Sequence, residues 1–552
     1  MGRTGDALQV LCNRIDGRPY PFYKDLLGAW ELDGFELVVD HVQGDPYAAP
    51  STIRLRVQTD LTPADCSDPV RREAAEDWLL RRFGSRLPNS RRGSGRSGEL
   101  RVTRPGPEIL GRTALRLSPD GRCEVRMAAG LPAKGRRVLG RQAWLLVSQD
   151  LAAAAAQLHV APGLTQHLDG VVLQRALRAQ LRPRGLVAFV ADGSRLPRLS
   201  GVDQGPLPDA VPTESPESLA VTLDSPAGPI RGLGIPTGVT LIVGGGFHGK
   251  STLLNALQRG HLDHVPGDGR ERVVCDPDAV KIRAEDGRRV AGVDVSAFLG
   301  DLPGGRTTRP FWTDDASGST SQAAALVEAH QAGARVLLLD EDTSATNLLV
   351  RDARMRALIP RESEPITPLV ERVREVCEAW SLSLVMVVGG VGDYLAVADT
   401  VIGMLDYHPV DLGPAARQHA GPLPEPPEPL EPPLPRVVLP QGLDPAGRVQ
   451  ARRSDRVRYG EEDLDLRALE QILSPDHART LGHALRLLHE DLVRTEGRPV
   501  DRLLDRLEAL LRAEGLEVLS PRDWPDGSLV WPRRHEVAAA LNRLRSLRLA
   551  EP

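Results

Sequence analysis

The chain has 552 residues, and its 69 Lys plus Arg against 74 Asp plus Glu give a formal net charge of −5, so no global charge demands a nucleic-acid or membrane partner. Cys12, Cys66, Cys123, Cys275 and Cys377 are odd in number, scattered and never spaced C-x-x-C, which argues for a reducing compartment and against a zinc site. With no run near the roughly 18 apolar residues of a membrane span, a cytoplasmic protein without a membrane partner is expected.

Residues 1–216 read as an N-terminal α+β domain, with strand patterns at 35–39, 53–57 and 186–190. Within it, Asp40 and His41 beside Gln43 could form a catalytic pair, but Gly44, Asp45 and Pro46 follow directly and favour a structural turn. Residues 81–104 carry Arg81, Arg82, Arg86, Arg91, Arg92, Arg96, Arg101 and Arg104 against one acid, Glu99, around a Gly-Ser-Gly-Arg-Ser-Gly run. A flexible basic loop of this kind suits a phosphate backbone; a cover over bound nucleotide and a merely solvated loop are the other open readings.

A turn-rich stretch at 205–216 leads into a core at 217–412, where strand and helix patterns alternate as in a parallel sheet covered by helices. Residues 239–243 are an apolar strand, and the next residues fit G-x-x-x-x-G-K-[ST]: Gly244, Gly245, Gly246, Phe247, His248, Gly249, Lys250 and Ser251, with Thr252 opening a helix. Such a loop turns backbone N–H groups inward around a phosphate, and the helix start adds positive potential at the same point. Lys250 is expected on the β and γ phosphates and Ser251 on Mg²⁺. Lysine otherwise occurs only at 24, 134 and 281, so its presence at 250 is a specific choice in an arginine-rich chain.

Further on, 336–339 is a buried strand that ends in Asp340 and Glu341. Ligands sit at this edge of open α/β sheets; Asp340 is placed to complete a Mg²⁺ shell and Glu341 to orient or deprotonate an attacking water. Just before that strand, Ser317, Gly318 and Ser319 open a helix and offer a hydroxyl and free amides, a second anion site. A plain helix cap with a flexible glycine is the competing reading.

The order of loop, Ser-Gly helix start, Asp-Glu strand and the run Asp342-Thr343-Ser344-Ala345-Thr346-Asn347 resembles the ABC-class ATPases. It is similar in particular to the family of predicted ATPases of the ABC class. That likeness also rests on Gly234-Ile235-Pro236, on His264-Val265-Pro266-Gly267-Asp268-Gly269-Arg270-Glu271, on the run from Asp40 to Pro46, and on Phe189-Val190-Ala191-Asp192-Gly193-Ser194. The resemblance implies an ABC-type P-loop core between family-specific N- and C-terminal domains and ATP with Mg²⁺ as cofactors. It also implies a head-to-tail homodimer in which Ser317, Gly318 and Ser319 of one copy cap the γ-phosphate held by the other, and some association with RNA. Two features depart from ordinary members of the class. No glutamine lies between Gln258 and the Ser-Gly helix, and where a switch histidine is usual the chain reads Val388-Gly389-Gly390-Val391-Gly392-Asp393.

Residues 413–444 form a linker whose prolines at 422–435, interleaved with Glu425, Glu428 and Glu431, favour extended polyproline. Residues 445–552 read as a small, mostly helical C-terminal domain with a second basic cluster, Arg448, Arg452, Arg453, Arg456 and Arg458, and a last helix over 536–549. The expected activity is hydrolysis of ATP coupled to a partner, with RNA or another nucleic acid as the one the Arg clusters would suit. A P-loop small-molecule kinase, or an ATP-dependent switch with little hydrolysis, are the alternatives.

Overall fold

The computed structural model describes residues 3–551 except 89–91, 202, 301, 303–304, 353–357, 360–362 and 424–428, so Arg91, Glu425 and Glu428 lie outside the described residues. The chain divides into two units, Met1–Val172 with Leu516–Trp531, and Leu173–Gly515 with Pro532–Pro552.

The first unit is built on an antiparallel sheet in which Gly28–Leu32 (β1), Phe35–His41 (β2), Ser51–Gln58 (β3) and Arg122–Ala129 (β4) are successive neighbours. Period-two alternation sets its faces: Ile53, Leu55 and Val57 are buried, while Arg54 and Arg56 between them meet acids on the adjacent strands. Arg54 bonds Asp40 at 2.7 Å and Glu124 at 2.9 Å, and Arg56 bonds Glu124 at 2.8 Å. Burial by itself would raise the Glu124 carboxyl, but hydrogen bonds from Arg56 and Arg126 hold it down to about 2. The helix Pro69–Arg86 (α1) starts on Asp68, whose carboxylate accepts from the amides of Val70 and Arg71, and buries Leu79 and Phe83.

The second unit carries the mostly parallel sheet. Leu186–Ala191 (β5), Ile230–Pro236 (β6) and Val273–Cys275 (β8) belong to a separate four-stranded antiparallel sheet, and Val239–Val243 (β7), Ala279–Lys281 (β9), Val336–Asp340 (β10), Ser383–Val388 (β11), Thr400–Leu405 (β12) and His408–Asp411 (β13) make the mostly parallel six-stranded one. The latter has the order β9-β10-β11-β7-β12-β13, parallel except for the last pair. Its central strands are continuous apolar runs because both faces are covered. Leu241, Leu339, Met386 and Val388 face one core with the helix Gly318–Gln331 (α3); Ile242, Leu338, Val385 and Val387 face the other with the helix Lys250–Arg259 (α2). The strand β5 belongs by pattern to the N-terminal stretch, but its hydrogen-bond partners are β6 and β8. Residues 173–216 accordingly group with the second unit.

The described part of the proline-rich segment is docked on this core. The Leu430 amide donates to Glu375 at 2.5 Å, the Leu434 amide to Asp294 at 3.1 Å, and the Gln331 side chain to the Leu434 carbonyl at 2.9 Å. The C-terminal region combines the helices Pro475–Thr495 (α4), Val500–Glu514 (α5) and Arg534–Leu541 (α6) with a three-stranded sheet, Val449–Arg453 (β14), Arg456–Tyr459 (β15) and Glu462–Asp465 (β16). α4 lies so close to that sheet that a Cβ on Gly482 would come within 2.6 Å of Val449. The last helix ends at Leu541 rather than at 549: Asn542 is buried and accepts from Arg436 at 2.9 Å, and Arg545 reaches the Asp314 carbonyl at 3.0 Å.

Candidate functional site

Parallel neighbours bring three loops to one sheet edge. Asp340 ends β10 opposite Val387, and Val243 ends β7 opposite Val388, so residues 244–249, 340–344 and 389–390 leave the same C-terminal edge side by side. This is where open α/β sheets bind ligands.

The loop from Gly244 to Gly249 is tightly packed from outside. Gly244 adopts φ +145, and a Cβ there would lie 2.5 Å from the Met404 carbonyl oxygen; Gly249 adopts φ +98, and its Cβ would meet the Tyr407 ring at 2.8 Å. Only glycine meets both demands at these two positions. Gly249 caps α2 without a side-chain hydrogen bond, which leaves the amides at the helix start to an outside acceptor. The Lys250 ammonium donates to the carbonyls of Gly244 at 2.7 Å and Gly245 at 2.8 Å and so lies across the loop. Phe247 holds a left-handed φ of +65 with its side chain 98% exposed. His248 ties the loop to the β12–β13 hairpin, accepting from the Asp406 amide at Nδ1 (2.8 Å) while its carbonyl accepts from the Tyr407 amide (3.2 Å).

At the end of β10, one strand beyond β11, Asp340 is buried, and its Oδ1 accepts from the Asp342 amide at 3.2 Å. Lys281, buried on β9, has its ammonium pushed below the usual range by desolvation, partly offset by attraction from Glu470 and Asp340. Glu341 points to the third loop, its Oε2 accepting from the amides of Gly389 at 2.6 Å and Gly390 at 3.0 Å. The sequence marked 388–393 only by its missing histidine; backbone amides carry no side-chain signature that could reveal this contact. The Ser251 hydroxyl and the Asp340 carboxylate are hard oxygen donors that suit Mg²⁺, and the loop cradle suits a polyphosphate.

Ser317 caps α3, and its Oγ lies 3.2 Å from Ser319 Oγ and 3.1 Å from Thr320 Oγ1. No side-chain cap blocks the first amides of this helix either. Gln322, fully buried one turn on, binds this helix to the loop after the carboxylates: it donates to Ser344 Oγ at 2.9 Å and accepts from the Ala345 amide at 2.8 Å. That bridge was not visible in the sequence, since it joins residues 22 and 23 apart.

The motifs around Asp40 and His264 make internal contacts. Asp40 pairs with Arg54, His41 stacks on Trp524 with ring centres 5.2 Å apart, and buried Gln43 accepts from the amides of Ser51 and Leu131. Buried His264 and Asp268 bond at 2.8 Å, with Arg198 on the same carboxylate at 2.6 Å. In the described part of the basic run at 81–104, Arg86, Arg96, Arg101 and Arg104 are exposed while other members are held. Arg81 is held by Asp77 and Arg92 by Asp150, Ser97 is fully buried, and Cβ atoms on Gly93 and Gly95 would strike the carbonyls of Ala133 and Pro46 at 2.1 and 2.4 Å. In the C-terminal cluster Arg448, Arg452, Arg453 and Arg456 are exposed on or beside the three-stranded sheet.

Phosphate loop, paired carboxylates and Ser-Gly helix start on this sheet define a P-loop ATPase of the ABC class. Residues 161–429 match the P-loop domain of the ABC ATPases, 6–160 the N-terminal domain described as ATPase of the ABC class, and 448–550 the MRB1590 C-terminal domain. The chain belongs to the family of ATPases of the ABC class, and nucleotide binding is its family property. The uncharacterized protein MJ1628 of Methanocaldococcus jannaschii is 31% identical over 255 residues, 44% of this chain and 56% of that protein, so the chain spans about half the length of that curated relative. Among solved structures, the ADP conformation of MJ1267, an ATP-binding cassette of an ABC transporter, aligns at 12% identity and TM-score 0.26 over 42% of this chain and 94% of its own. A second structure of MJ1267 aligns at 12% and 0.23 over 41% and 90%. No described helix is long and apolar enough to cross a membrane.

Proposed function

We propose that the chain binds ATP with Mg²⁺ and hydrolyses it at composite sites formed by two copies head to tail, and that nucleotide state sets the grip of the C-terminal region on RNA. The observation that carries this reading is the placement of Lys250, Asp340 and Glu341 on loops leaving one sheet edge. In it the amides of Gly244 to Thr252 and the Lys250 ammonium bind the phosphates. Ser251 and Asp340 hold the metal, which when bound neutralises phosphate charge. Glu341 takes the proton of the attacking water, and the amide pair at Gly389 and Gly390 fixes where its carboxylate points. Ser317, Gly318 and Ser319 bind the γ-phosphate held by the second copy, a role supported by their uncapped helix start. The exposed arginines of the three-stranded sheet support RNA as partner, because guanidinium groups on an open sheet face suit a phosphate backbone.

The test compares ATPase activity and oligomeric state of wild type and Glu341→Gln, with and without single-stranded RNA, at two salt concentrations. The reading predicts RNA-dependent turnover in wild type and an ATP-bound dimer in the variant whose RNA binding weakens with salt. Turnover by a monomer that ignores RNA would overturn both the dimer and the RNA assignments.

A further inference from the structure

Tyr407 occupies a position that favours glycine. It forms the tip of the β12–β13 hairpin with Asp406, and the two residues adopt left-handed φ values of +69 and +48. An L-residue with a bulky side chain is rarely held there, and an outlier kept against a ligand loop points to a role. The tip is fixed to the phosphate loop by its amides: Asp406 donates to His248 Nδ1 at 2.8 Å and Tyr407 to the His248 carbonyl at 3.2 Å. The ring itself lies against Gly249, where an added Cβ would be 2.8 Å from Cδ1. It stays 40% exposed, as Tyr47 does at 61%, whereas Tyr20, Tyr23, Tyr394 and Tyr459 are buried.

The sheet order gives the exposed ring a direction. Asp340 and Glu341 follow β10, on one side of the loop strand β7, and the β12–β13 hairpin lies on the other. A nucleoside triphosphate whose terminal phosphates turn to the carboxylates must leave its base on the opposite side of the loop, over the hairpin. We infer that Tyr407 is the platform on which the base of a purine nucleotide stacks, so that the hairpin reads the base and the loop reads the phosphates. Stacking on an aromatic face uses the π surface of any base and is strongest for the larger purines, so adenine and guanine nucleotides are both accepted. This inference rests on the nucleotide reading above.

The full chain with Mg²⁺ is titrated by calorimetry with ATP and, separately, with inorganic tripolyphosphate, for wild type, Tyr407→Phe and Tyr407→Gly. Glycine suits the left-handed tip, so Tyr407→Gly keeps the fold. Expected is about a tenfold or greater loss of ATP affinity in Tyr407→Gly, tripolyphosphate affinity within about twofold of wild type, and near-native binding of both by Tyr407→Phe. Unchanged ATP affinity in Tyr407→Gly overturns the inference. So does a parallel loss of ATP and tripolyphosphate, which would make the hairpin a brace for the loop. Wild type that binds neither probe would sink the nucleotide reading itself, and the platform with it.

Discussion

The Glu341 carboxylate accepts the Gly389 amide at 2.6 Å, across the gap between two parallel strands. A charged acceptor on backbone donors is held more firmly than one on a mobile side chain, because the donors cannot rotate away. In a chain without the usual histidine at 388–393, this contact is what orients the carboxylate. Replacing Glu341 with Gln keeps an acceptor for both amides and removes only the base. Single-turnover hydrolysis is then expected to fall about 10²-fold or more while ATP affinity stays within a few-fold. Equal loss of affinity and rate would show that Glu341 binds rather than catalyses.

Phe247 holds φ +65 with its ring 98% exposed, so folding retains the backbone strain and gains no burial. Left-handed backbone costs an L-residue about 1–2 kcal/mol, and glycine returns part of that through its freer unfolded chain. Phe247→Gly is therefore expected to stabilise the protein by about 0.5–1 kcal/mol in urea unfolding. A lower urea midpoint would mean that the exposed ring packs in solution, and the second copy would be the place to look.

The elements that define the nucleotide site were legible because each is local. An apolar run such as 239–243 followed by the glycine loop to Ser251, or 336–339 followed by two acids, encodes strand, turn and chemistry within thirteen residues. What could not be read depends on partners distant in sequence. The charges of Arg81 and Arg92 were plain, but their neutralisation by Asp77 and Asp150 and the packing of Gly93 against Ala133 were not. Likewise β5 has a clear strand pattern, yet nothing local says that it pairs with Ile230–Pro236 and Val273–Cys275. The helix expected over 536–549 stops at Leu541, beyond which the amides of Arg543 and Leu544 bond the carbonyls of Ala540 and Leu541, three residues back, a tightening that the apolar spacing does not announce.

The sheet formed by β14, β15 and β16 exposes Arg452 and Arg456, and this face is where the RNA proposal is most open to disproof. Each lost phosphate contact lowers the slope of log K against log salt by about 0.7 for a single strand. The double variant Arg452→Gln, Arg456→Gln is expected to weaken RNA binding and reduce that slope by about 1.4. Binding curves that keep both affinity and slope would remove this face from consideration.

Glu76 supplies a pH signature that is independent of nucleotide. It is 7% exposed, accepts the Leu117 amide at 2.8 Å, and has Arg116 at 3.6 Å. Desolvation outweighs that attraction and pushes its carboxyl up from 4.5 to about 7. A carboxyl raised on folding is protonated more readily in the native state, so its contribution is fully present below the unfolded value near 4.5 and is lost as pH rises through about 7. Glu76→Gln keeps an oxygen for Leu117 and abolishes the titration. Between pH 5 and pH 8 the variant is expected to gain on wild type by about 2–3 kcal/mol in urea unfolding. If the difference between the two proteins stays constant across that range, Arg116 keeps the carboxylate ionised and burial does not control it.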